Sequence, residues 1–310
     1  MSPSTTGLVA GLDFGGTKLD VAVASQHGEL LRHRRLETEA ARGADQAVRR
    51  ALEAVRELID EAEREHGERC VAAGAVTPGI VHDDHVLLAP NVPGWGDLAL
   101  PALLRDAFGQ VPVVLETDVK AATLAEARWG ALRGADPGIF LGLGTGIAAG
   151  IVIDGRVLAG ANGAAGEIGY NLLAAWDAGA GAGRAPLEEL AGGRAIGARA
   201  GARLGRPVSA EEAFALAATE PAVGDLVEEA LAALALHVAN MAILVDPARI
   251  AVGGGLMGSG TRVLKALDER LRDAVPFPPE LVPARFLHDA PLRGALALAG
   301  DAAANGGGPR

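Results

Sequence analysis

Two glycine-rich turns contain the residue types that could hold an anion: Asp13-Phe14-Gly15-Gly16-Thr17-Lys18 and Gly142-Leu143-Gly144-Thr145-Gly146. Closely spaced glycines leave backbone N–H groups open to a phosphate, because no Cβ stands in the way. A glycine run after a strand commonly opens a helix whose N-terminus binds phosphate. Neither turn does so here. Residues 19–24 and 147–153, which follow the two turns, are short β-type runs closed by turn signals. Each turn is therefore expected at the tip of a β-hairpin, and one tip in each half suggests a duplicated domain with a nucleotide's phosphates held between the copies.

Other positions carry chemistry with a competing structural explanation. Asp118 stands where a strand over 111–115 meets a helix from about 119 to 129, a usual place for ligand chemistry in α/β folds. Capping of that helix by Thr117 or Asp118 explains the same residues equally well. Asp13 is a turn residue, yet its carboxylate precedes a Gly-Gly pair that allows close backbone approach. Gly253-Gly254-Gly255-Leu256-Met257-Gly258 satisfies a dinucleotide pattern after a strand. A long helix and Asp246-Pro247 precede that strand, however, and no ribose-binding acid lies at the expected distance. A tight strand-to-helix joint without a ligand is the alternative there.

The elements that must position these residues follow from periodicity. Strands are expected over 8–14, 19–24 and 30–36, then a helix with Val48, Leu52, Val55 and Ile59 on one face, a strand over 71–76, and a helix over 100–108. With the strand and helix around Asp118 this gives β-β-β-α-β-α-β-α, a ribonuclease-H-like half. The second half restarts with strands over 139–143 and 147–153 and a short return strand after Asp154-Gly155-Arg156. An insertion with helical and Gly-rich stretches runs to about 220, before a buried helix over 226–244, a strand over 249–252 and a helix over 261–274. The expected class is α/β, with two lobes of ribonuclease-H-like order. Its lobes are expected over 1–117, completed by a C-terminal helix at 293–304, and over 118–292.

Composition narrows the function classes. The chain has 310 residues, 49% hydrophobic and 22% charged, which suits about two soluble domains. The net charge of −11 argues against a nucleic-acid surface. The lone Cys70 excludes an internal disulfide and argues against a thiolate-built zinc site, and the seven His residues lack metal-ligand spacing. No apolar run is expected to reach bilayer length, and no secretory signal is visible, so a cytoplasmic protein without membrane partners is expected. Heavy Ala, Gly and Arg usage reflects genomic base composition and decides nothing about function.

Several motifs, in order and spacing, resemble the ROK family of sugar kinases and sugar-responsive repressors: Asp13-x-Gly15-Gly16-Thr17, Thr77-Pro78-Gly79, Ala89-Pro90-Asn91, Asp118 heading an Ala-rich helix that ends in Ala125-Glu126, Gly144-Thr145-Gly146 and Gly166-Glu167-Ile168-Gly169. The resemblance extends through Gly253-Gly254-Gly255 to Gly294-Ala295. It implies a fold similar to hexokinase and actin that closes over ATP and a sugar. By the same resemblance Asp118 is the general base, Asp13 orients Mg²⁺ or its waters, and Gly15, Gly16, Thr17, Lys18, Gly144, Thr145 and Gly146 face the phosphates. Gly254 and Gly255 approach the adenosine. Asn91, Thr117, Asp118, Glu167, Tyr170 and Glu188 lie at the sugar, and the assembly is a homodimer. An exposed turn lysine and a helix-start glutamate are the plain alternatives for Lys18 and Glu188.

Three departures bear on the substrate. The family's Glu-Ile-Gly-His is here Glu167-Ile168-Gly169-Tyr170, and the cysteine cluster expected before Glu188 is replaced by residues 179–186 without sulfur. Together these imply a branch with no structural zinc. The usual Asn-Asp pair is Thr117-Asp118, which changes the hydrogen-bond inventory around the acceptor. A glucokinase-like enzyme acting on the 6-position is expected, with amino sugars of the kanosamine type, fructose or C7-cyclitols as alternative acceptors and polyphosphate as an alternative donor. A non-catalytic sugar-sensing regulator is the alternative of another class. The net acidic charge and a first strand beginning near Gly7 speak against it.

Overall fold

In the computed structural model, which describes residues 7–87 and 94–305, both glycine turns close β-hairpins. β1 (Leu8–Phe14) and β2 (Lys18–Ser25) pair antiparallel with Phe14 opposite Leu19. β3 (Leu30–Glu37) adds to β2, whereas β4 (Cys70–Thr77) runs parallel beside β1. A two-residue hairpin, β5 (Ile80–Val81) with β6 (Val86–Leu87), escaped the sequence reading because it is too short for a periodic signal. β7 (Val113–Thr117) completes the order β3-β2-β1-β4-β7.

The central strand β1 is covered on both faces, which explains why it is apolar along nearly its whole length, whereas the edge strand β3 has no buried residue. Leu8, Ala10, Leu12 and Phe14 point to the side of α1 (Ala44–His66), joined by Leu100 and Leu104 of α2 (Leu100–Phe108). Val9 points the other way, toward Leu292 and Leu296 of the C-terminal helix. The alternation is the two-residue period of a strand, and it places Asp13 on the Val9 side. Each fully buried leucine adds about 1.5–3 kcal/mol.

The strand before Asp118 is shifted by two residues from the expected 111–115. Pro112 has no N–H to offer, and its carbonyl instead accepts from Ala73 N at 2.9 Å. The strand therefore starts after Pro112 and ends at Thr117, and α3 (Asp118–Trp129) begins at the next residue.

The second sheet repeats the pattern. β8 (Gly138–Leu143), β9 (Ile147–Ile153) and β10 (Arg156–Val157) form an antiparallel meander, and β11 (Arg249–Gly253) runs parallel to β8. β12 (Glu280–Pro283), which the sequence reading omitted, extends the order to β10-β9-β8-β11-β12. The insertion contains α4 (Pro186–Ala191), α5 (Gly193–Leu204) and α6 (Ala210–Leu216). α7 (Pro221–Val245) and α8 (Gly260–Ala274) follow, and α9 (Ala290–Ala304) ends the described chain.

One expectation fails. α7 is long and apolar enough, by length and composition, to cross a membrane. Its apolarity serves a core instead: Leu226, Val227, Leu231, Leu234 and Val238 are buried with Ile139, Leu141 and Ile250 of the second sheet.

The chain divides into two compact units. One comprises Met1–Ala125, Ala159–Gly163 and Asp289–Arg310; the other comprises Glu126–Leu158 and Ala164–His288. α9 thus belongs with the first sheet despite its place in sequence.

Candidate functional site

In the first unit, the turn after β1 is tied down by its own backbone and by one threonine. Gly15 N donates to Lys18 O at 2.9 Å, Thr38 Oγ1 donates to Gly15 O at 2.7 Å, and Thr38 N donates to Thr17 O at 3.0 Å. The carbonyls of Gly15, Thr17 and Lys18 are thereby occupied, whereas the N–H groups of Gly16 and Thr17 have no acceptor among the described residues. Lys18 is exposed and has no polar side-chain partner among them. This is a loop that offers donors and one exposed cation to an anion.

Asp13 is partly exposed and lies opposite Asp20 in the β1–β2 register. Asp20 is 7% exposed and is held by Arg35 Nε at 2.9 and 3.0 Å and by His33 Nε2 at 2.6 Å. Burial pushes the Asp13 carboxyl well above the usual carboxylate range; Asp118 and then Asp20 raise it further, and Arg35 opposes them. Asp13 and Asp118 therefore share one electrostatic environment. Such a carboxylate gains from a divalent cation, and Mg²⁺ typically takes one or two carboxylates with phosphate oxygens and water. Among the described residues no cluster of three His, Cys, Asp or Glu could hold a metal ion by itself.

Asp118 is partly exposed at the start of α3, and its Oδ1 accepts from Val119 N at 2.7 Å. Thr117 is buried, and its Oγ1 accepts from Lys120 N at 3.4 Å. The capping position is thus taken by the hydroxyl of Thr117. Lys120, which the sequence reading passed over, is itself buried. Asn91 lies outside the described residues.

In the second unit, Gly144 N donates to Gly146 O at 3.0 Å, while Gly144 O and Thr145 O accept from Gly193 N at 3.0 Å and Arg194 N at 3.1 Å. The start of α5 thus grips the turn through its carbonyls, and the N–H groups of Thr145 and Gly146 have no acceptor among the described residues. A cavity of about 500 Å³ opens beside them, lined among others by Thr145, Arg194, Phe214, Gly255 and Leu256. Gly254 has φ +95° and packs so closely on β8 that a Cβ would stand 2.4 Å from Leu143 O. That accounts for one glycine of the dinucleotide-like run by packing alone. Arg194, Phe214 and Leu256 were not singled out from sequence; Gly192-Gly193 before a helix was the available signal for the first.

Glu167 and Tyr170 are partly exposed around the single 3-10 turn Ile168–Tyr170. Gly166, at φ +88°, brings its backbone against β9, where a Cβ would lie 1.8 Å from Ala149 O. Burial, then Glu188, then Glu167 raise the Tyr170 pKa, so the phenol stays protonated and able to donate. Glu188 is partly exposed rather than a free helix-start glutamate. Its Oε2 accepts from Ile147 N at 2.9 Å directly behind Gly146, where a Cβ would come within 2.2 Å of the same oxygen. One carboxylate oxygen therefore shapes the turn.

Cys70 is a free thiol, which burial pushes up to about 11. Glu126 is fully buried and accepts from Ala131 N at 2.6 Å and Phe286 N at 2.7 Å, a structural use of the acid that ends the Ala-rich motif.

Comparisons with known proteins show the family of the chain. The ROK family profile matches residues 9–302. A kanosamine kinase from Amycolatopsis mediterranei is 30% identical over 302 residues, covering 95% of this chain and 96% of that protein. A ROK hexokinase structure from Thermus thermophilus aligns with a TM-score of 0.77 at 35% identity, covering 94% of this chain and 97% of the other. A ROK family glucokinase from Streptomyces griseus, in complex with glucose and AMPPNP, aligns with a TM-score of 0.76 at 28% identity, covering 94% and 99%.

Proposed function

Because the chain belongs to the ROK family and is an ATP-dependent sugar kinase, we propose that it phosphorylates the primary, 6-position hydroxyl of a hexose or hexose-like ring. The observation that carries this reading is the Asp13–Asp118 pair. Two carboxylates in one unit are near enough to raise the Asp13 pKa, and one of them stands just before a turn whose Gly16 and Thr17 N–H groups have no acceptor among the described residues. Asp118, at the strand-to-helix junction, takes the proton of the sugar hydroxyl as its oxygen attacks the γ-phosphoryl group in line. Such a base adds roughly 10²–10⁴-fold to the rate, and positioning and charge stabilisation supply the rest. Asp13 would hold Mg²⁺, directly or through water, and that ion supplies charge neutralisation at the β- and γ-phosphates.

Gly15, Gly16, Thr17, Lys18, Gly144, Thr145 and Gly146 donate to the phosphates in this scheme. The cavity beside Gly255 takes the nucleoside. Its apolar wall at Phe214 and Leu256 suits a base and favours ATP over polyphosphate, which has no apolar part. Asn91, Thr117, Glu167, Tyr170 and Glu188 are assigned to the acceptor, with Tyr170 donating from its protonated phenol. The relatives named for kanosamine and glucose bracket the acceptor class, and Tyr170 and Thr117 favour a ring other than plain glucose. We further read the chain as a cytoplasmic homodimer without structural zinc.

Asp118→Asn should lower turnover at least 10²-fold while leaving ADP affinity intact. Substantial activity in that variant would remove Asp118 as the base. An ADP-release screen over hexoses, amino sugars and cyclitols, with ATP and polyphosphate as donors, identifies the acceptor.

A further inference from the structure

Among the described residues Lys120 is the only lysine or arginine that is buried, at 2% exposure. Taking an ammonium out of water is costly unless its donors are satisfied. Nζ donates to Gly163 O at 2.5 Å and to Thr117 Oγ1 at 3.4 Å, and Glu116 Oε1 lies 4.0 Å away. Only three of the 28 basic residues in this chain are lysines: Lys18, Lys120 and Lys265. At this buried position the compact ammonium, with three donors on one atom, fits where a planar guanidinium would not.

The acceptor at 2.5 Å belongs to a short strap. Residues 159–163 are part of the first unit, although the chain on either side of them belongs to the second. Gly163 has φ +71°, and a Cβ there would stand 3.3 Å from Val81 O of β5. Among the described residues the bond from Lys120 is the only hydrogen bond that the strap receives. Three residues beyond Gly163 the chain reaches Gly166-Glu167. The other anchor of the same ammonium, Thr117, immediately precedes Asp118.

We propose that Lys120 is a positioning residue for the acceptor sugar, its ammonium tying the 159–163 strap to the strand end that carries Thr117 and Asp118. It acts through Gly163 and Thr117 and does not touch the sugar. The inference rests on the assignment of Asp118 and Glu167 to the acceptor side.

The test uses the full chain with Lys120→Met, which keeps length and loses the charge, and Lys120→Gln, which keeps an N–H donor for the Gly163 carbonyl. Lys120→Met should raise the acceptor KM about tenfold or more and leave the ATP KM within about twofold, and Lys120→Gln should recover most of the loss. The proposal is overturned if the Met variant keeps its acceptor KM, if both KM values rise together, or if Gln is no better than Met. Amine-selective acetylation of the wild-type protein provides a check that survives misfolding of the variants: the exposed Lys18 and Lys265 should react and Lys120 should be spared, and Lys120 reacting as fast as the other two would equally sink the tie. A wild-type protein that phosphorylates no sugar in the same assay removes the kinase reading instead, and that outcome is distinguishable from all of these.

Discussion

Asp13 and Asp118 are legible in the sequence as candidates, but their coupling is not, since 104 positions separate them. The raised Asp13 pKa makes stability depend on pH. The folded-state value lies above that of the unfolded chain, so the native protein binds the proton more tightly. Stability contributed at this residue is present below the ordinary carboxylate pKa and is lost as pH rises through the folded value. Asp13→Asn removes the penalised charge. In the absence of nucleotide and Mg²⁺ its Tm at neutral pH should exceed that of the wild type, and the gap should close as the pH falls toward the ordinary carboxylate range. With Mg-ADP the order should reverse, because only the wild type gains from the cation. A thermal-shift series over pH checks both parts, and an Asn variant less stable than wild type at neutral pH without nucleotide and Mg²⁺ would contradict this charge balance. Lys120 gave no comparable signal, because an isolated basic residue in a sequence does not reveal whether it will be buried.

At the scale of elements, the hairpins around both glycine turns could be read from alternation and turn chemistry, and they formed with the expected partners. Boundaries depended on backbone hydrogen bonding that periodicity does not encode, as the two-residue shift caused by Pro112 shows. Close packing of helix on sheet also escaped the sequence. Gly74 on β4 and Gly294 on α9 are spaced as ordinary small residues, yet a Cβ on the first would lie 1.9 Å from Ala295 O, and one on the second 2.0 Å from Ala121 O. These neighbours are backbone atoms of packed helices and cannot swing aside. Gly74→Ala should therefore cost about 1–3 kcal/mol or more of unfolding free energy. Gly181→Ala, at a site with open space, should stay within about 0.5 kcal/mol. Denaturant midpoints that place both variants together would refute the close approach.

At the scale of the molecule, two units of matching sheet order each carry their own core, and the chain passes between them at four points. The cavity assigned to the nucleoside is lined wholly by residues of the second unit. Protection of amides by ADP in hydrogen-exchange measurements should therefore centre on 142–146, 192–195, 210–214 and 254–259. Protection confined to residues of the first unit would place the nucleotide elsewhere. The acidic balance of −11 is no obstacle to the proposed nucleotide site, because backbone N–H groups would meet the anion locally, and neither Lys18 nor Arg194 has an ion-pair partner among the described residues.

The sequence by itself determined the α/β class, the duplicated hairpins, the family and the residue types available for phosphoryl transfer. Each of these is written in short-range patterns: a period of two, a glycine spacing, an acid after a strand. The tertiary structure alone decided that α7, apolar enough for a membrane, is a core helix. It also decided that one oxygen of Glu188 is spent on the Gly146 turn and that Lys120 is buried. Those outcomes depend on which surfaces meet after the chain has turned back on itself, and burial and electrostatic coupling exist only once they have met.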